Sequence, residues 1–197
     1  MNKNILSAAV PMLLALAMTA CKGEATQKIE TRVIEDVDSV TGIVSLRDYT
    51  YDDTITVAGH TYRYSYTLEH VDTMRTVVNP QGIEYQESRV RISVKQGDRQ
   101  IFNKTYYKRD FRDFVPRDIL STSTMVGVNY NFTKRDEDRS ALYFIVTVGD
   151  PDETSDMAYP LELKVMPDGS SSIKKAENLE TESLNPGLNV DPSEDAI

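Results

Sequence analysis

The chain has one cysteine, no tryptophan and two histidines in 197 residues. A single thiol rules out an intrachain disulfide and a cysteine-based metal site. His60 and His70 are two nitrogen ligands where a zinc site needs three or four, so both are expected to be surface side chains. Base is scarce relative to acid: 22 Lys and Arg face 31 Asp and Glu, a formal net charge of −9. That balance disfavours nucleic acid, whose affinity depends on Lys and Arg meeting phosphates, and no nucleic-acid partner is expected. It also disfavours docking onto anionic headgroups. No Gly-x-Ser-x-Gly elbow is present. Beyond residue 20, no apolar run approaches the roughly 20 residues of a membrane-spanning helix. No catalytic constellation assembles, so we expect a non-enzymatic chain with no metal and no cofactor.

What is present begins at the N-terminus. Lys3 supplies a positive charge, and Ile5 to Met18 form an apolar core broken only by Ser7 and Pro11. Thr19 and Ala20 are small, and Cys21 follows directly. A basic start, a short apolar core and a small-residue site are the parts of a secretory signal. The segment resembles the bacterial lipobox, with Met18 where Leu is usual. The resemblance implies a signal peptide over residues 1–20 and lipid attachment at Cys21. Each buried methylene contributes about 0.8 kcal/mol, so two or more acyl chains hold a protein stably on a membrane. By resemblance to lipoprotein sorting, the absence of Asp after Cys21, where Lys22 stands, implies the outer rather than the inner membrane. Lys22-Gly23-Glu24 is a faint version of an acidic surface-export signal, so either face of that membrane stays open.

Residues 21–42 are polar and read as a flexible tether of roughly 25 Å r.m.s. reach. Ile29, Val33, Ile34 and Val37 within it also allow a short helical stripe. From residue 43 to 175 the pattern is β. Ile43 to Leu46 and Thr54 to Val57 read as short strands. Ala58-Gly59-His60 is a tight turn. Thr61 to Val71 carries Tyr62, Tyr64, Tyr66 and Leu68 on one face and polar residues on the other. Ser88 to Lys95 alternates with Val90, Ile92 and Val94 inward, and Gln96-Gly97-Asp98 turns it into Arg99 to Tyr107. Phe111, Phe114 and Val115 predict one short helix over Lys108 to Leu120, limited to about two turns by Pro116. Further strands are expected at Thr124 to Phe132, Ala141 to Val148, Tyr159 to Met166 and Ser171 to Lys174, with a charged turn over Lys134 to Arg139. The tail, 176–197, holds six acids and no base and is expected to be disordered. Hairpin turns dominate and no βαβ pattern occurs. The expected fold is an antiparallel β-sandwich or half-open β-barrel of about eight to nine strands with one short helix.

The run Ile101-Phe102-Asn103-Lys104-Thr105-Tyr106-Tyr107-Lys108-Arg109-Asp110-Phe111 resembles an uncharacterised Bacteroidetes lipoprotein family, a domain of unknown function. Leu142-Tyr143-Phe144, Val148, Asp150-Pro151 and the Tyr159 to Gly169 hairpin are also similar, so the resemblance spans about Asp53 to Lys174. It implies no catalytic residues, because that family has no assigned activity.

Tyrosines are the main binding candidates: Tyr62, Tyr64 and Tyr66 on one strand, Tyr106 and Tyr107 on another. Exposed, such rings stack sugars or anchor a protein partner. Buried, they are simply the core, as the polar opposite face suggests. Acid clusters at Asp52-Asp53, Asp136-Glu137-Asp138 and Asp150 to Glu153 match no calcium loop and read as solvated turns. The expectation is a lipid-anchored cell-envelope module that binds an envelope protein or a glycan, held to the membrane through Cys21. The alternatives are a carrier for a small ligand or glycan, and then a hydrolase.

Overall fold

The computed structural model describes residues 34–176. The expected signal peptide, Cys21 and all but the first residue of the expected acidic tail lie outside them. In chain order the elements are β1 (Ile34–Val37), β2 (Val44–Leu46), β3 (Tyr49–Val57), β4 (His60–His70), β5 (Val77–Val78), β6 (Glu84–Tyr85), β7 (Ser88–Gln96) and β8 (Arg99–Tyr106). A 3₁₀ turn (Lys108–Phe111) and α1 (Arg117–Thr122) precede β9 (Thr124–Tyr130). Then come α2 (Phe132–Glu137), β10 (Leu142–Gly149), β11 (Ala158–Val165) and β12 (Ser171–Lys175).

Two four-stranded antiparallel sheets, β3-β4-β7-β8 and β12-β11-β10-β9, enclose the main core. Period-2 alternation delivers the lining of each. Tyr62, Tyr64 and Leu68 of β4 and Val90, Ile92 and Val94 of β7 meet Met125, Val128 and Tyr130 of β9 and Leu142, Phe144 and Val146 of β10. Each buried aliphatic or aromatic side chain contributes about 1.5–3 kcal/mol, so this layer carries the stability. A third sheet, β1-β2-β6-β5, is small and mixed, since β2 and β6 pair in parallel. The architecture is sandwich-like, with no closed barrel.

The two main sheets touch at both edges. On one side Gly169, in the turn before β12, sits against β8: a Cβ there would lie 2.6 Å from the carbonyl oxygen of Ile101. Its φ of +90° adds a second reason for glycine. On the other side the Tyr49 hydroxyl of β3 donates to the carbonyl oxygen of Val128 at 2.9 Å and accepts from its N–H at 2.8 Å. This one phenol satisfies both backbone groups of Val128 on β9, the edge strand of its sheet.

Several local expectations change. Residues 34–37, placed in the tether or a helical stripe, form β1 against β2. The expected helix over Lys108 to Leu120 is a 3₁₀ turn and then α1, because Pro116 takes extended backbone (φ −56°, ψ 148°) and α1 begins after it. The charged turn at Lys134 is helix α2, started by the Asn131 side chain accepting from the Lys134 N–H at 2.9 Å. In β9 a bulge against β10 near Thr147 and Val148 shifts the alternation by one, so Met125 joins Val128 and Tyr130 in the main core while Val126 is buried outside it. Strand β3 starts at Tyr49, five residues before the expected Thr54.

Candidate functional site

The tyrosines of β4 divide by depth. Tyr62 and Tyr64 are 1% exposed, and Tyr106 of β8 is fully buried. These three are core rings and offer no surface to a partner. Tyr66 is half-buried, and it is reached from outside through β3. Register pairs Tyr51 with Tyr66 and Asp53 with Tyr64. Cross-strand partners share a face, so Tyr49, Tyr51 and Asp53 lie on the same side of the sheet as the β4 tyrosines.

The result is a continuous aromatic stack from surface to core. Tyr51, 41% exposed, stacks on Tyr66 with centroids 5.2 Å apart and planes 20° apart. Tyr66 stacks on Tyr64 at 6.4 Å, and Tyr64 on Tyr130 of β9 at 4.7 Å. Phe144 and Phe132 close the inner end, edge-on to Tyr130 at 5.4 and 5.0 Å. Tyr49 meets Tyr66 edge-on at 6.4 Å. Such contacts each add about 0.5–1.5 kcal/mol beyond burial, so the outer rings are held in place by the stack. The Tyr51 hydroxyl donates to Asp53 at 3.3 Å. Burial pushes the Tyr51 phenol up, with the Asp53 charge adding to it. Burial raises Tyr64 far more, with Tyr51 and Asp53 next in effect. Tyr106 and Tyr130 are pushed up to about 12, again by burial. All these rings are neutral at physiological pH.

Tyr107 is separate. It follows β8, half-buried, with the Arg109 guanidinium 4.7 Å above its ring. It helps line a surface cleft of about 370 Å³ with Met74, Arg75, Glu87, Lys108 and Arg109. A second, smaller cleft of about 240 Å³ lies on the outer face of β10, β11 and β12. Its charges are matched: Lys164 meets Asp138 at 3.3 Å and Lys174 meets Glu162 at 3.6 Å. Asp138 is held well below the ordinary carboxylate range, first by the Ser140 hydroxyl and then by the Tyr143 hydroxyl.

The remaining candidates take structural places. His60 is exposed at the start of β4, and His70 lies between Asp48 at 2.8 Å and Asp72 at 3.5 Å. Asp52 pairs with Arg63 at 2.7 Å. Asp150 is fully buried and accepts from the Asn79 amide and the Asp152 N–H, while Asp152 caps Thr154. These acids brace loops, and among the described residues no three His, Cys, Asp or Glu converge as a metal site would require. Thr124 accepts from the Ser88 N–H at 2.8 Å, a bond between the two sheets. Tyr49 and Tyr51 went unnoticed in the sequence, although Tyr49-Thr50-Tyr51 carries the same alternation as β4.

Fold and site define a mainly β, sandwich-like domain with an aromatic stack that opens at one edge. The chain belongs to the family described as domain of unknown function DUF4738, whose model matches residues 28–173. No curated protein matches it.

Proposed function

We propose that this protein is a lipid-anchored module of the bacterial cell envelope, on the outer membrane, that binds a partner without catalysing a reaction. Anchoring is supported by the run from Leu13 to Cys21, in which the lone cysteine follows a short apolar core and two small residues. The binding role rests on one observation: Tyr51 is a large, pre-stacked ring left 41% exposed at the sheet edge, with Tyr66 beneath it. Rigid aromatic rings bind at low entropic cost and are enriched where partners dock. An envelope protein is the favoured partner, and a glycan stacking on the same ring is the second reading.

Two experiments test this. Mass spectrometry of the membrane-extracted protein should find acylated Cys21 at the mature N-terminus, and Cys21→Ala should release the domain from the membrane fraction. An unmodified, soluble wild-type chain would end the anchoring proposal. A photo-crosslinker at position 51 in living cells should give discrete adducts that one at Gln100, on the opposite edge strand, does not. Equal labelling from both positions would remove the binding role.

A further inference from the structure

We infer that the cleft between the β4–β5 loop and the 3₁₀ turn is a binding site for a phosphate group. Its lining contains three cations, Arg75, Lys108 and Arg109, and one anion, Glu87. The chain as a whole carries a net charge of −9, so this cleft reverses the local sign. Glu87 is matched: its carboxylate meets the Lys108 ammonium at 2.7 Å. Arg75 and Arg109 are both exposed and have no carboxylate partner among the described residues. Two guanidinium forks beside one small volume match the several acceptor oxygens of a phosphate, which each fork can bind in bidentate fashion. The volume, about 370 Å³, lies in the range of small-molecule sites.

The floor of the cleft is a second, independent observation. The side chains of Glu87 and Lys108 are only 10% and 16% exposed, and Lys108 also donates to the Ser123 carbonyl at 2.9 Å. A pair this buried costs desolvation that an apolar pair would avoid, so stability alone does not explain it. Here it holds Lys108 in place directly before Arg109, and Arg109 is fixed from its other side by stacking on Tyr107. The cations are therefore positioned before a ligand arrives. The phosphate can come from a free phosphomonoester or from a lipid headgroup, since both present the same oxygens.

The test uses the full mature chain and inorganic phosphate as probe, at constant ionic strength against chloride. Amide shifts around residues 74–75 and 107–109 should move and saturate, and Arg75→Gln with Arg109→Gln should weaken binding at least tenfold. Arg112→Gln, outside the cleft, should leave it unchanged, and matching thermal melts show that each variant folds. Absence of saturation, or equal affinity in the double variant, overturns the inference. Sedimentation with phosphatidylcholine vesicles, with and without phosphatidylglycerol, separates the sources. Capture that depends on phosphatidylglycerol and on both arginines assigns the headgroup. Saturation by inorganic phosphate without such capture assigns a free ligand.

Discussion

Replacing Tyr49 by Phe removes one oxygen and keeps the ring. The oxygen makes two bonds, to the N–H and to the carbonyl of Val128, at 2.8 and 2.9 Å. Val128 lies on β9, which has no further strand beside it among the described residues. Without the phenol both backbone groups lose their protein partner in a half-buried place. A hydrogen bond is worth about 0.5–1.5 kcal/mol net, and a buried group left unsatisfied costs about 1–3 kcal/mol. Partial access of water puts the sum at about 2–3 kcal/mol. For a domain of this size that lowers Tm by roughly 5–10 °C. Urea unfolding measures the energy, and hydrogen exchange at the Val128 amide localises it. Tyr51→Phe is the control, since its hydroxyl is at the exposed edge and donates to Asp53 at 3.3 Å, and it should cost less than about 0.5 kcal/mol. A loss below about 0.5 kcal/mol for Tyr49→Phe, with unchanged exchange at Val128, refutes the idea that this phenol ties the two sheets.

Three further outcomes are expected. Gly169→Ala should destabilise by more than about 1 kcal/mol in urea, because its Cβ would sit 2.6 Å from a backbone oxygen at positive φ. Gly97→Ala, at φ +56° with open space, should cost less. Lys108→Met leaves Glu87 buried without its cation and should cost about 3–5 kcal/mol in urea unfolding; adding Glu87→Gln should restore part of it. In alkali, Tyr106 and Tyr130 ionise near 12 in the folded chain but near 10 when unfolded. Their contribution to stability is therefore complete below pH 10 and is lost as pH rises through about 12. Tyrosinate absorbance from these rings should appear together with loss of far-ultraviolet β signal in that window.

Much of the fold was legible because it is written in local alternation. Strands β4, β7, β8, β10 and β11 lie within a residue or so of their expected ends, since one face of each is apolar or, in β10, both are; β12, with Ile173 its one apolar residue, follows from the turn at Gly169. What escaped has little periodic signal. Strands β5 and β6 are two residues each, and they exist because Val77 and Tyr85 bury against one another across a turn. The outer half of β3, Tyr49 to Asp53, is largely exposed, so no apolar stripe marks it. Helix α2 is six residues and polar, and the Asn131 cap was its one local sign. The bulge in β9 is decided by pairing with β10, so strict alternation along β9 does not show that Met125 joins the main core.

The candidate site shows the same division. Residue order was enough to put Tyr62, Tyr64 and Tyr66 on one face, because side chains alternate strictly along a strand. It was also enough to show an acidic chain with a single thiol, and so to exclude an intrachain disulfide. Whether a ring on that face is core or surface depends on what the opposite sheet covers. Sheet packing buries Tyr64 against Tyr130 and leaves Tyr51 open at the edge, two outcomes for rings that share one face. The cleft that joins Arg75 to Arg109 likewise unites segments more than thirty residues apart. Alternation is a property of neighbouring residues, whereas burial and convergence are properties of surfaces that meet only when the chain has folded.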